Sequence, residues 1–168
     1  MRDGIVIRPL GSRDTADLYY VRIAPEVMSE TLGLPTLTSD RWGREVESMV
    51  GNPNNHCLVA EVEGRVVGAV NLEVLRGRKS HGGTLGLMVR DDHHGRGIGA
   101  ALLDGMLEVA DRWLGLRRVE LEVFADNQVA IGLYERRGFL REGIKRGAAY
   151  RDGKYEDILV MARHRADA

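Results

Sequence analysis

Three observations predict a mixed α+β or α/β layer protein in which antiparallel hairpins outnumber crossover helices. Apolar and polar residues alternate with a period of two in segment after segment along the chain; short turn signals separate several of these; and apolar stripes at helical spacing fall between them. At 168 residues the chain suits one compact domain, expected to span 1–168.

"GIVIRPL" opens as a strand that Pro9 brings towards its end. Ser12 and Asp14 then offer caps for a helix over Thr15 to Ala24, and Gly33 to Thr38 reads as a loop. A second helix follows, capped by Ser39 or Asp40 and stopped by Gly51, Asn52 and Pro53. The irregular stretch from Ser29 to Leu37 is of the kind that forms one wall of a substrate cleft. "CLVAEVEGRVVGAVNLEVL" reads as a hairpin turning at Glu63 and Gly64, "GRKSHGG" as a basic turn, and "TLGLMVRDD" as a further strand. From Ile98 the period changes. Ile98, Leu102, Met106, Val109 and Trp113 line one helical face, with Asp104, Glu108, Asp111 and Arg112 on the other. "RRVELEVFA" returns to strand, with Val119, Leu121 and Val123 on one side. "DNQVAIGLYERR" is a short helix capped by Asp126 or Asn127, and the chain closes as two strands around "RDGK", Arg151 to Lys154.

Composition excludes several classes of function. Hydrophobic residues at 43% and charged residues at 29% describe a globular chain, and a net charge of −1 supplies no general field for nucleic acid. The lone Cys57 excludes an intrachain disulfide framework and a cysteine metal cluster. It reads as strand packing, and His56 beside it points to the opposite face. "MRDGIVIRPLGSRD" has no apolar signal core and no run of eighteen apolar residues occurs, so a cytoplasmic protein off the membrane is expected.

The densest chemistry lies in "DDHHGRGIGAALL", Asp91 to Leu103. Gly95, Gly97 and Gly99 stand between a strand and a long helix, where glycine lets the backbone approach a ligand and the first helical amides are unpaired. Such a site suits a pyrophosphate, cradled by backbone with Arg96 as a side-chain contact; a plain glycine-rich helix start is the alternative. A Walker loop is disfavoured because no Gly-Lys-Ser/Thr follows, and a dinucleotide fold because no parallel βαβ repeat surrounds the motif. His93 and His94 are neighbours on a turn without metal-ligand spacing to His56, His81 or His164, so no metal site is expected. In "DNQVAIGLYERRGF", Asn127 and Tyr134 are two helical turns apart and share a face with Ile131. The plain reading is a cap and a half-buried tyrosine. The chemical one makes Tyr134 a proton donor to a departing anion, for which a thiolate is well matched.

"VRDDHHGRGIGAALL" followed after one strand by "NQVAIGLYERRGF" resembles the GNAT superfamily of acetyl-CoA-dependent N-acetyltransferases. The resemblance extends to "IVIRPLGSRD" and "VVGAVNLEV" and so covers nearly the whole chain. It implies a GNAT-like acyl-CoA N-acyltransferase fold, a mostly antiparallel mixed sheet of about seven strands flanked by about four helices. It also implies acetyl-CoA as donor, no metal, a homodimer and a small amine as acceptor. Carried over residue by residue, Gly95, Arg96, Gly97, Ile98, Gly99 and Ala100 would hold the pyrophosphate, and backbone groups of Leu87, Met88 and Val89 would pair with the pantetheine arm and steady the oxyanion. Asn127 would contact the cofactor arm or order the site, and Tyr134 would be the general acid. His94 stands where the family usually has Arg or Gln, a departure that offers fewer donors.

"APEVMSETLGLP", "RKSH" and "KRGAAYRDGKYEDILVMAR" are similar to bacterial L-amino acid N-acetyltransferases acting on substrates such as phenylalanine and methionine, which implies direct acetyl transfer to the α-amino group of a free amino acid. The general base is then expected to be His81, ranked before Glu73, or a water between them. Arg76, Arg78 or Lys79 would bind the substrate carboxylate, or form a solvated cluster, while Glu26 and Glu30 would instead select a cationic amine. A protein N-terminus, a polyamine or a silent acyl-CoA-binding role are the competing readings.

Overall fold

The computed structural model describes residues 4–165. The seven strands are β1 (Ile5–Pro9), β2 (Asn55–Val62), β3 (Arg65–Val74), β4 (Gly82–Val89), β5 (Arg118–Phe124), β6 (Leu140–Arg151) and β7 (Lys154–His164). They form one sheet in the order β1-β2-β3-β4-β5-β7-β6, antiparallel at every junction except β4–β5. Two of the hairpins turn where the sequence places them. Glu63 and Gly64, and Asp152 and Gly153, all have positive φ, the backbone of the two-residue turn whose twist matches its strands.

Among the described residues five α-helices accompany the sheet: α1 (Thr15–Arg22), α2 (Pro25–Glu30), α3 (Ser39–Gly51), α4 (Ile98–Glu108) and α5 (Gln128–Glu135). α4 and α5 cover one face, where Ile98, Leu102, Met106 and Ile131 pack on Val70, Leu85, Leu121 and Met161 to make the main core. α1 and α3 cover part of the other, around Leu18, Trp42, Val46, Val59 and Val66.

Several local expectations are corrected. Helix α1 ends at Arg22 and the short α2 follows at once, where irregular chain was expected. Asp14 stands at the start of α1 but makes no cap bond to it; its buried carboxylate takes two bonds from the Arg8 guanidinium, both 2.8 Å, and one from the Gly11 amide, which caps the 3₁₀ turn over Ser12–Asp14 instead. Thr38, not Ser39 or Asp40, caps α3, accepting from the Arg41 amide. Trp113 is 81% exposed although the stripe from Ile98 points it inward. The cause is a π turn over Val109–Trp113, in which the Leu114 amide reaches back to the Val109 carbonyl; the wider turn rotates later side chains off the stripe.

Candidate active site

β4 and β5 pair at only three positions, Gly82 with Arg118, Gly83 with Val119 and Thr84 with Glu120. Beyond them the strands part, although β4 stays paired with β3 as far as Val89 and β5 with β7 as far as Phe124. The two facing edges are therefore open, and their amide and carbonyl groups call for a partner. Leu87, Met88 and Val89 lie along this open half. Leu87 and Val89 pack towards the main core and Met88 towards the smaller one.

The glycine loop stands at the mouth of this fork. Gly95 and Gly97 have φ of 72° and 79°, and Gly97 is the left-handed residue from which α4 starts. The first helical bond runs from the Ala101 amide to the Gly97 carbonyl, so the amides of Ile98, Gly99 and Ala100 have no partner inside the helix. Gly99 lies where a Cβ would come 3.5 Å from Leu133, in ordinary contact with α5. Arg96 is exposed and, among the described residues, forms no ion pair. A positive helix end with free amides, beside two open strand edges, fits a pyrophosphate that continues into an extended amide-bearing arm.

His94 is engaged elsewhere. Its Nε2 lies 2.7 Å from the Val89 carbonyl and its Nδ1 3.1 Å from Glu26, so the ring ties the loop to β4 and α2. His93 is bonded to Asp92, which also holds Arg90, and that ring together with the Arg90 guanidinium keeps the Asp92 carboxyl well below its usual range. Glu26, Asp91 and His94 bring their ligand atoms within 4.8 Å of one another, but Asp91 accepts the amides of Glu26 and Val27 at 2.9 and 3.2 Å. The trio thus caps α2. At its other end, Glu30 of α2 pairs with Arg151, which also binds Asp126 just after β5 and stacks 4.2 Å from the Phe124 ring. α2 therefore crosses the fork's mouth, fastened at the ends of both strands.

Tyr134 lies on the α4–α5 side. Asn127 caps α5 through its Oδ1, which accepts the Ala130 amide at 3.0 Å. Tyr134 follows seven residues later, about 10 Å further along the axis, in the main core with Leu85, Leu121 and Ile131. Its ring is buried, 5.6 Å from Phe139. Burial strips water from the phenolate and pushes the pKa up to about 12. Such a phenol is a proton donor at neutral pH. Among the described residues its hydroxyl has no hydrogen-bond partner.

The opposite face of the fork carries Glu73, a candidate base in the sequence, together with Glu120 and Glu122, which sequence reading passed over. Register places Glu73, Thr84 and Glu120 in one row on that face, with Glu122 one step nearer the mouth. Thr84, Leu85, Glu120, Leu121, Glu122 and Val160 line a cleft of about 210 Å³. Arg118 bonds Glu120 at 2.9 Å and Lys145 pairs with Glu122. In sequence these glutamates look like the solvent side of a strand; only the parting of β4 from β5 gives them an opening to face. His81 is not brought here. It precedes β4 at the closed end, its carbonyl accepting the Arg117 and Arg118 amides, and lies six residues, about 20 Å of strand, before Leu87. Arg76, Arg78 and Lys79 share that closed end, in and beside a 3₁₀ turn over Gly77–Lys79. Cys57 is half-buried, its thiol pushed up to about 11 by burial, which keeps it unreactive.

A parallel strand pair that opens beside a glycine-capped helix, with a buried phenol on one face, defines the class. Residues 18–139 match the Acetyltransferase (GNAT) family, and the chain belongs to that family of acetyl-CoA-dependent N-acetyltransferases. It is 38% identical over 160 residues to the L-amino acid N-acetyltransferase AaaT of Escherichia coli K12, covering 95% of this chain and 97% of that one. It is 32% identical over 108 residues to a putative phosphinothricin acetyltransferase, YwnH, of Bacillus subtilis 168, covering 62% and 66%. A GCN5-related N-acetyltransferase from Kribbella flavida superposes with a TM-score of 0.85 at 26% identity, over 98% of this chain and all of that one. The described residues contain no helix long and apolar enough to cross a membrane.

Proposed function

We propose that this protein acetylates the α-amino group of a free L-amino acid by direct transfer from acetyl-CoA. The observation that carries the reading is the two-sided fork: a protonated, buried Tyr134 on one face and the Glu120–Glu122 cleft on the other, with α2 across the mouth. The likeness to AaaT over nearly the full chain supports the amino acid acceptor.

Acetyl-CoA supplies an acetyl group on a thioester. The amides of Ile98, Gly99 and Ala100 and the side chain of Arg96 hold its pyrophosphate, and the open edge of β4 over Leu87 to Val89 binds the arm and steadies charge on the carbonyl oxygen. Holding donor and acceptor together removes much of the entropic barrier. As the amine nitrogen bonds the carbonyl carbon, the carbon–sulfur bond breaks and the Tyr134 hydroxyl gives its proton to the sulfur. The proton shed by the amine passes to Glu122, directly or through water. Glu73 stands one strand further off, and His81 is too distant for the step. Asn127 orders the start of α5 and so the position of Tyr134. A homodimer and a cytoplasmic location belong to the same reading, from the family likeness.

A screen of free amino acids, amino acid amides, polyamines and peptide N-termini by thiol release is the test. Turnover concentrated on free amino acids supports the proposal; turnover confined to peptides or polyamines overturns it. A polyamine is the second reading: Glu26, Glu30, Glu120 and Glu122 line the mouth and cleft, and a polycation binding there would exchange with their present partners His94, Arg151, Arg118 and Lys145.

A further inference from the structure

Seven arginines among the described residues are half-buried. Six of them, Arg8, Arg90, Arg118, Arg137, Arg151 and Arg163, hold a carboxylate in an ion pair. Arg22, the last residue of α1, does not. Its Nη1 donates to the Thr31 hydroxyl, which in turn donates to the Val27 carbonyl at 2.7 Å, and Glu45 acts on it only through space. Burial without an adjoining anion lowers its pKa, the sign of a cation stripped of water and left uncompensated.

The site is shaped around this group. A Cβ on Gly33 would lie 3.0 Å from the guanidinium carbon and from Nη1, so the loop after α2 packs closely on the Arg22 guanidinium. Thr31, which fixes the fork, directly follows α2, and α2 is the helix that crosses the mouth between Asp91 and Arg151. Arg22 ends α1, which packs on β3 and β4, and touches the end of α2 through Thr31, with four of its five N–H donors left over from that bond. The cations at Arg76, Arg78 and Lys79 are at the closed end.

We infer that Arg22 is the carboxylate-binding residue of the acceptor site, its guanidinium pairing with the α-carboxylate of the amino acid whose amine faces the fork. The inference rests on the amino acid reading above. A planar fork of N–H donors matches a carboxylate bidentately, and Thr31 and Gly33 hold that fork in place.

The test compares L-phenylalanine with L-phenylalaninamide as acceptors, in the unaltered chain and in Arg22→Gln. The unaltered chain is expected to prefer the acid. Arg22→Gln should raise KM for the acid about 10- to 100-fold, with KM for the amide and for acetyl-CoA within about twofold of the starting values, so the preference is erased. Thr31→Val, which frees the guanidinium without removing it, should raise KM for the acid about 3- to 10-fold. Should Arg22→Gln fail to fold, Arg22→Lys is read against the same pair and is expected to lose about 10-fold on the acid alone. Equal use of acid and amide by the unaltered chain overturns the amino acid reading and this inference with it. A preference for the acid that survives in these variants overturns the inference alone.

Discussion

The closed and open halves of the β4–β5 pair are made of adjacent residues of the same two strands, and they are packed to opposite ends. In the closed half the backbone is crowded: a Cβ on Gly83 would come 2.9 Å from Leu72, 3.1 Å from Leu116 and 3.2 Å from the Glu73 carbonyl. In the open half, a Cβ on Gly86 would come 2.6 Å from the Asn71 amide oxygen, a close approach to one polar side chain and not to a packed apolar wall or to backbone. Small residues in the first half draw β5 close enough to pair; beyond Thr84 each strand follows its outer neighbour, and the gap between them is the candidate site. The lesson is that the site is a failure of pairing, produced by the two sub-sheets twisting apart after a short, tight junction.

The comparison is broken most strongly at Tyr134. Tyr134→Phe keeps the ring and its packing on Phe139, so kcat should fall about 100- to 1,000-fold with acetyl-CoA KM within about twofold; unchanged kcat would remove the acid from the mechanism. The same buried phenol should be visible in stability. In the unfolded chain a tyrosine loses its proton near pH 10, whereas in the folded one it keeps it to about 12. The folded state therefore binds the extra proton, and about 2–3 kcal/mol of stability should be lost as pH rises from 10 to 12. Denaturant titrations of the unaltered chain and Tyr134→Phe across that range isolate the effect, which the variant should lack.

Glycine substitutions contrast the two halves directly. Gly83→Ala should cost about 1–3 kcal/mol through overpacking of the closed half and leave both Michaelis constants alone. Gly97→Ala meets a φ of 79° at the open end; it should cost about 1–2 kcal/mol and, unlike Gly83→Ala, raise acetyl-CoA KM. The smallest change is expected at the strap. Asp91→Ala removes the cap of α2, about 1 kcal/mol, and should raise acceptor KM more than donor KM. Equal movement of the two would mean that α2 does not form part of the acceptor wall.

Features carried by neighbours along the chain were legible beforehand. The turns at Glu63-Gly64 and Asp152-Gly153 need positive φ, and Asn127 caps α5 from one residue before it, so the local sequence was sufficient. The glycine loop and its spacing to Tyr134 were legible for the same reason, and so was the family. What was missed depends on partners far away in sequence. α2 carries no local cap because Asp91 supplies it, and Asp14 does not cap because Arg8 takes its oxygens. The alternation in "VELEV" puts Glu120 and Glu122 on one face without saying whether that face meets water or a cleft. His81 ranked first as base on its chemistry, yet the pairing of Gly82 with Arg118 puts it at the closed end.

By itself, then, the sequence determined most of the elements, the two tight turns, the glycine-started helix α4 and the spacing of Asn127 and Tyr134 along α5, since each follows from backbone conformation and side-chain spacing within a few residues. Only the tertiary structure decided where β4 and β5 stop pairing, which carboxylates face the opening, that α2 bridges its mouth, and that among the described residues Arg22 is the half-buried arginine without an ion pair. These depend on strand register and on ion pairs between residues tens of positions apart, and no local pattern sets either.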